Sequence, residues 1–224
     1  MTTIMLSVAI MTNIMYDVNR NYSVTPEDTM RYPAAETAEK HQRILTQAAR
    51  LFRELGFDGV SVGQIMQATG LTHGPFYNHF ASKEALMAES TLHGSAHSRA
   101  ALDAASASPD AMRQYVRDYV SAAHRDAPGD GCLLAALAGD VRKQPAVRPA
   151  FTFHLKNVIG KLAAHFPWQK KRKPRQEAIV MLSAMVGAVA LARAVDDGAF
   201  SDEILAAVQA AFAPTVPPAP APPD

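Results

Sequence analysis

The chain has 224 residues, a formal net charge of +1 and one cysteine. The near-neutral charge excludes a dedicated nonspecific nucleic-acid binder, which would be far more basic, and the single cysteine excludes an intramolecular disulfide. Hydrophobic residues make up 48% of the chain, and alternating β-branched runs do not occur. The sequence therefore predicts an all-α protein with a buried core.

The two ends of the chain differ from its middle. Residues 1–33 show no helical periodicity, so we predict a disordered or wrongly extended segment there, and the segment lacks the basic start of a signal peptide. Residues 214–224 are rich in proline and alanine and are predicted to be a disordered tail. The longest apolar run, Ala178–Ala192, is shorter than the about 20 residues that a membrane span needs. We therefore expect a cytoplasmic protein that does not enter a membrane.

Two helices are predicted in the first third of the chain. The first covers about Thr37–Leu55. The second follows Ser61, which forms the S-x-x-Q pattern of a capping box with Gln64. Gly70 comes directly after the last periodic position, where a left-handed backbone ends a helix at little cost. These signals predict a short second helix followed by a tight turn.

A third helix is predicted after this turn. Thr72 is placed to cap it, and Pro75 lies in its first turn, where a missing N–H costs little. Phe76 and Phe80 are four residues apart and are predicted to pack inward. The opposite face carries polar tips and a glycine, which suit the major groove of DNA. This face consists of His73, Gly74, Tyr77 and Asn78.

These helices carry a longer ordered motif. Its two parts are Ile44-Leu45-x-x-Ala48-Ala49-x-Leu51-Phe52-x-x-Leu55-Gly56-Phe57 and Gly70-Leu71-Thr72-x-Gly74-x-Phe76-Tyr77-x-His79-Phe80-x-Ser82-Lys83-Glu84. In this order the residues resemble the TetR/AcrR family of bacterial helix-turn-helix repressors over about Glu39–Arg99. The chain departs from the family pattern at Pro75, where Thr, Ala or Ser is usual, and at His73, where Lys or Arg is common.

The resemblance implies a domain organisation and a function. Residues 34–99 would form a three-helix helix-turn-helix DNA-binding domain, and residues 100–213 a helical domain for effector binding and dimerisation. The protein would be a transcriptional repressor that leaves its double-stranded DNA operator when a small molecule binds. We predict no cofactor and no enzymatic activity, since the sequence has no P-loop, G-x-S-x-G or H-E-x-x-H motif.

The resemblance also implies which residues contact DNA. Tyr77 and Lys83 would bind phosphates, and Lys83 lies in the first turn of the next helix, whose free N–H groups attract anions. His79 would bind phosphate or pack against its neighbours. Ser61 and Val62 would approach the DNA backbone from the start of the second helix. The candidates near base edges are Thr72, His73, Gly74, Pro75 and Asn78.

Caps and helix breakers predict six further helices. They are a helix capped by Ser82 and running to about His97, one that starts at Pro109 after Ser108, Cys132–Arg142, Pro145–His165, Pro174–Val195, and a last helix capped by Ser201. A basic loop, Lys170–Arg175, lies before the last two helices and is predicted to be solvated.

Two residue sets in these helices have two interpretations each. Apolar residues of the last two helices, such as Ile179 and Val186, alternate with Ala184 and Gly187; they form a monomer core or, as the resemblance implies, a homodimer interface. Soft and semi-polar residues of the middle helices are ordinary core or the lining of an effector cavity. This second set comprises Met112, Tyr115, Tyr119, Cys132, Phe151, His154, Met181 and Met185.

Cys132 leads to an alternative function. A lone cysteine is usually an inert small hydrophobe, but Cys132 opens a helix, and a helix N-terminus favours the reactive thiolate form. A thiol-based sensor of oxidants or electrophiles on the same scaffold is therefore the first alternative. A helical ligand-binding protein or enzyme without DNA binding is the second.

Overall fold

The computed structural model describes residues 34–72, 74–168 and 173–213. The described residues form α-helices and two short 3-10 helices without any strand, so the all-α prediction is confirmed. The predictions for residues 1–33, for residues 170–172 of the basic loop and for the tail 214–224 lie outside the described residues.

Nine α-helices follow one another in the described parts of the chain. In order they are α1 Ala34–Leu55, α2 Val62–Ala68, α3 Lys83–Ala105, α4 Pro109–Tyr119, α5 Ala122–Asp126, α6 Leu133–Val141, α7 Arg148–His165, α8 Pro174–Ala194 and α9 Gly198–Phe212. The 3-10 helices are Gly74–Asn78 and Pro128–Asp130. The boundary predicted between residues 99 and 100 falls inside α3, which continues through an alanine-rich segment of high helix propensity.

The local signals around α2 are confirmed. The Ser61 hydroxyl accepts a hydrogen bond from the Gln64 N–H at 3.2 Å, and the Gln64 side chain accepts one from the Ser61 N–H at 2.8 Å. Gly70 has a φ of 74°, in the left-handed region. Ser82 and Ser108 cap α3 and α4 as predicted.

One predicted cap is wrong and another is untested. The third helix is a 3-10 helix, Gly74–Asn78, and the Thr72 cap stays a prediction because residue 73 lies outside the described residues. Ser201 lies inside α9, since Asp197 caps this helix by accepting the Phe200 N–H at 3.1 Å. The Ser201 hydroxyl instead donates to the Ala192 carbonyl at 2.7 Å.

The buried apolar residues form two clusters. The first joins α1, α2, the 3-10 helix Gly74–Asn78 and the start of α3, and includes Phe52, Phe57 and Phe76, all within 1% of complete burial. The second joins the end of α3 to α4, α7, α8 and α9. Helix α6 contributes to both clusters, because Leu133 and Leu137 belong to the first and Leu134 to the second.

Helix α8 is longer than the apolar run seen in the sequence. By length and composition alone it could cross a membrane, with a mean hydropathy of 1.7 over 18 residues. A core helix meets the same criteria, and one face of α8, with Met181, Leu182, Met185 and Val189, is buried in the second cluster. We therefore interpret α8 as a core helix.

Candidate nucleic-acid interface and internal cavity

The 3-10 helix Gly74–Asn78 has an exposed edge above two buried aromatic anchors, Phe76 within the helix and Phe80 just after it. The Phe76 and Phe80 side chains are 0% and 3% exposed, and their ring centroids lie 5.7 Å apart. His41 of α1 stacks on Phe80, with centroids 4.5 Å apart. Tyr77, between the anchors, is 66% exposed. The anchors thus fix a short helix whose outer side faces solvent.

The structure gives positions for nine of the ten predicted DNA contacts; residue 73 lies outside the described residues. Five are exposed: Ser61, Thr72, Gly74, Tyr77 and Asn78. Four are partly buried: Val62, Pro75, His79 and Lys83. Burial lowers the pKa of His79, and the neighbouring His41 and Lys40 lower it further, so His79 is neutral at pH 7.

The Lys83 ammonium is bound to the protein. Its Nζ atom donates a hydrogen bond to the Phe57 carbonyl at 2.7 Å. The N–H of the same residue, Phe57, donates to Oδ2 of Asp140 at 3.2 Å. Phe57 therefore connects the N-terminal turn of α3 to the C-terminal end of α6.

The three arginines of α1 are also bound to groups of the protein. Arg43 contacts Glu39 at 2.8 Å, and Arg50 contacts Glu54 at 3.0 Å. Arg53 donates from Nε to the Gly129 carbonyl at 2.8 Å, and from a second guanidinium nitrogen to the same oxygen. The surface beside the exposed edge thus presents hydrogen-bonding groups more than free positive charge.

A cavity of about 690 Å³ lies between α3, α4, α5 and the start of α6. Of the eight predicted effector residues, Tyr115, Tyr119 and Cys132 line it. The other five do not: Met112, His154, Met181 and Met185 are 0% exposed, and Phe151 is partly buried against both clusters. They pack in the buried clusters, and their part in effector binding stays a prediction.

Sequence analysis missed several residues of the cavity wall. Gln114 and Asp118 lie one position before Tyr115 and Tyr119 and share their helix face. Helical spacing could have found them. His124 and Gly131 also line the cavity. The irregular chain around Pro128–Asp130 brings them to the cavity wall, and that segment has no helical periodicity from which their position could be predicted.

His154 is buried without hydrogen bonds. Neither ring nitrogen has a partner among the described residues. Burial lowers its pKa to about 4, with a further contribution from Arg99. His154 is therefore neutral at physiological pH and packs as an aromatic core residue.

Helix α6 connects the cavity to the first cluster. Its N-cap residue, Cys132, lines the cavity, and the Cys132 Sγ atom accepts the Leu134 N–H at 3.3 Å. Leu133 and Leu137 pack in the first cluster, beside Phe57. A displacement of the α6 N-terminus would therefore also displace Leu133 and Leu137, which pack in the cluster that supports the exposed edge.

Residues 44–89 match the family model described as "Bacterial regulatory proteins, tetR family". The resemblance to the TetR family is thus confirmed over residues 44–89 of the chain. The matched residues include α2, the 3-10 helix Gly74–Asn78 and the N-terminal part of α3.

Two curated proteins are similar in sequence to part of this chain. The chain is 43% identical over 49 residues to the uncharacterized HTH-type transcriptional regulator YerO of Bacillus subtilis, and 43% identical over 54 residues to the HTH-type transcriptional regulator AcrR of Shigella flexneri. These matches cover 22% and 24% of this chain, but only 17% and 25% of the relatives. The likeness in sequence is thus confined to about a quarter of this chain, and the chain spans a quarter or less of these relatives.

The likeness in fold extends over more of the chain than the likeness in sequence. The reduced form of Escherichia coli NemR superposes with a TM-score of 0.67 at 21% identity, covering 78% of this chain and 95% of NemR. A TetR-family transcriptional regulator from Agrobacterium tumefaciens gives the same TM-score and identity, covering 79% of this chain and 98% of that protein. The helical region after residue 89 therefore shares its architecture with these proteins.

We predict that Arg53→Ala lowers the free energy of unfolding by about 1.5–3 kcal/mol, because it removes charge-assisted hydrogen bonds to the Gly129 carbonyl. Urea denaturation measures this change. Arg50→Ala is the matched control, since Arg50 lies in the same helix and makes an exposed pair with Glu54, of the kind that contributes little to stability. Equal losses for both variants would contradict the proposed importance of Arg53.

Proposed function

We propose that this protein is a sequence-specific DNA-binding transcriptional regulator, a cytoplasmic repressor that leaves its operator when a small molecule binds. The observation that carries the proposal is the exposed edge of the 3-10 helix Gly74–Asn78, held by Phe76 and Phe80 within the region that matches the TetR family. A rigid support is what a reading edge needs, because base contacts require side chains at fixed positions.

The predicted DNA contacts divide into two groups. Tyr77 and Lys83 would bind phosphates, and Ser61, Val62 and His79 would support this docking. Lys83 would exchange its bond to the Phe57 carbonyl for one to a phosphate oxygen. Thr72, His73, Gly74, Pro75 and Asn78 would lie near base edges, where an amide such as that of Asn78 suits adenine.

We expect Tyr77→Ala to weaken binding to every DNA sequence by a similar factor, because phosphate contacts position the protein without specifying sequence. We expect Asn78→Ala to cost about 1–3 kcal/mol on the preferred operator and less on variant sequences. Fluorescence anisotropy with DNA flanking the protein's own gene, and with base-substituted versions of it, measures both effects.

Asn157→Ala is the matched control for Asn78→Ala. Asn157 lies on α7, outside the matched region, and its side chain donates only to the Phe153 carbonyl. Its substitution should leave binding unchanged. The role of Asn78 is excluded if Asn78→Ala reduces affinity equally on all operator variants.

Release by an effector would use helix α6. A molecule in the cavity contacts the Cys132 end of α6, while Leu133, Leu137 and Asp140 connect the helix to the DNA-binding elements. A ligand shifts the equilibrium only by its difference in affinity for the two conformations. The proposed effector would therefore favour a position of α6 that does not fit the DNA-bound arrangement.

We propose a homodimer formed by α8 and α9. Val180, Ala184, Gly187 and Leu191 form one stripe over about three turns of α8. Val180 and Leu191 are 53% and 59% exposed. Leu182 and Val189 instead belong to the buried core. Two apolar residues separated by small ones suit close helix packing, and a two-fold dimer would bind two half-sites about 34–36 Å apart.

We predict that Gly187→Glu converts the dimer to a monomer, because the new side chain would carry bulk and charge into the interface. Gly187 is well suited to this test, since a Cβ atom there meets no other atom within 4 Å in the single chain. Gly160→Glu on α7 is the matched control, because Gly160 has equally open surroundings. Sedimentation velocity measures the outcome, and a monomeric wild-type protein at micromolar concentration would contradict the dimer.

Thiol sensing is a second candidate for the regulatory signal. Cys132 lines the cavity at the N-terminus of α6, so an oxidant or electrophile that enters the cavity meets its sulfur. Modification of the Cys132 sulfur would add volume at the N-terminal end of α6. The other end of this helix contacts the proposed DNA-binding elements through Asp140. This would be the same release mechanism with a covalent trigger.

We expect a quinone or hypochlorite to release operator DNA from the wild-type protein and not from Cys132→Ser, if this second candidate is correct. Electrophoretic mobility shift measures release, and intact mass measures modification of the only cysteine. Release that persists in Cys132→Ser would refute thiol sensing and leave reversible binding as the signal.

A further inference from the structure

The cavity is open to solvent on one side, and its wall is dominated by small and aromatic side chains. Ala101, Ala104 and Ala105 of α3 form one side, and Tyr115 and Tyr119 of α4 form another. The volume of about 690 Å³ is within the range of small-molecule sites. Alanines provide the space, and the tyrosine rings provide flat apolar surface.

The cavity wall contains no lysine or arginine among the described residues, but it includes Asp118 and Asp130. Arginines of neighbouring segments are already bound to groups of the protein. Arg117 donates to the Gln114 side chain, which itself lines the cavity. Arg53 donates to the Gly129 carbonyl, and Arg193 donates to the carbonyls of His124 and Arg125. An anionic ligand would therefore lose its hydration without meeting a positive partner, which is costly in a partly buried site.

His124 does not supply the missing positive charge. Its Nε2 atom accepts the Cys132 backbone N–H at 2.8 Å, and its Nδ1 atom contacts the Tyr119 carbonyl at 2.5 Å. An acceptor at Nε2 requires that the proton reside on Nδ1, which then donates to the carbonyl. Burial lowers the pKa of His124. Protonation would break the bond to Cys132, so the ring stays neutral.

The tyrosine hydroxyls are the donors of this cavity. Burial raises the pKa of Tyr115 and of Tyr119, so both phenols keep their protons. The buried Tyr119 hydroxyl lies beside the Cys132 thiol, a weak acceptor that also raises the pKa of Tyr119, and makes no hydrogen bond of ordinary geometry among the described residues. A buried hydroxyl without a good acceptor is destabilising. A ligand oxygen that accepts this proton would recover that energy, whereas an organic cation without an acceptor would not.

We infer that the cavity binds an uncharged, mostly apolar ring compound with one hydrogen-bond-accepting oxygen, and that the Tyr119 hydroxyl donates to this oxygen. The inference relies on the proposed function only for the regulatory role of the cavity. Ligand binding itself is measured without DNA, so a failure of the ligand class and a failure of DNA binding are distinguished.

Four naphthalene probes of similar size test the ligand class. They are 1-acetylnaphthalene, a neutral ketone; 1-ethylnaphthalene, which has no acceptor; 1-naphthoate, an anion; and 1-naphthylmethylammonium, a cation. Isothermal titration calorimetry on the full chain should rank the ketone first. Tightest binding of the naphthoate or of the cation would overturn the inference, and so would the absence of ketone binding at millimolar concentration.

Tyr119→Phe tests the anchor. It removes only the hydroxyl, and it should weaken ketone binding by about 3–10-fold and leave 1-ethylnaphthalene binding within about twofold. Tyr77→Phe is the matched control, because Tyr77 lies on the exposed edge and not in the cavity wall. A melting temperature no lower than that of the wild type shows that Tyr119→Phe folds. Unchanged ketone affinity in Tyr119→Phe, or loss only in Tyr115→Phe, would overturn the role of Tyr119.

Discussion

Helix α6 packs into two hydrophobic clusters at once, and the relation between the cavity and the proposed DNA-binding elements depends on this packing. Leu133, Leu137 and Val141 recur every four residues and bury one face against the first cluster, while Leu134 turns toward the second. Each buried leucine contributes about 1.5–3 kcal/mol. Because packed interiors resist local deformation, a shift at one end of this nine-residue helix moves its contacts at the other end.

Polar bonds reinforce this apolar connection. Phe57 donates to Asp140 of α6 and accepts from Lys83 of α3, and Arg53 of α1 holds the Gly129 carbonyl just before α6. These bonds join the segment from Gly129 to Asp140, which borders the cavity, to helices α1 and α3 of the proposed DNA-binding region. The residue that the family resemblance assigns to phosphate is thus also a structural donor when DNA is absent. A change in DNA contact at Lys83 would be transmitted to the same carbonyl group.

These bonds and ion pairs within the protein engage four positive side chains near the proposed interface. Arg43, Arg50, Arg53 and Lys83 all contact carboxylates or backbone carbonyls of the protein. The proposed interface would therefore rely on hydrogen bonding by Tyr77 and Asn78 more than on bulk positive charge. Its specificity would come from the fixed geometry of a short helix with buried Phe76 and Phe80 beneath it.

The sequence by itself determined the features that depend on near neighbours. The capping box of Ser61 and Gln64, the left-handed Gly70 and the inward pair Phe76 and Phe80 all follow from spacings of four residues or fewer, and the ordered motif identified the family. The Ser201 cap failed because Asp197, four residues earlier, supplied a competing cap of the same kind. Local rules alone do not rank two such caps.

Tertiary structure decided which of the soft residues face open space. Met112, Met181 and Met185 resemble Tyr115, Tyr119 and Cys132 as semi-polar or soft residues among alanines, yet only the last three line the cavity. The neutral state of His124 depends on the chain reversal at Pro128–Asp130, which brings the Cys132 N–H to its ring. Contacts between residues far apart in the chain set cavity shape, donor pairing and the bond between Lys83 and Phe57, and helical periodicity carries no information about them.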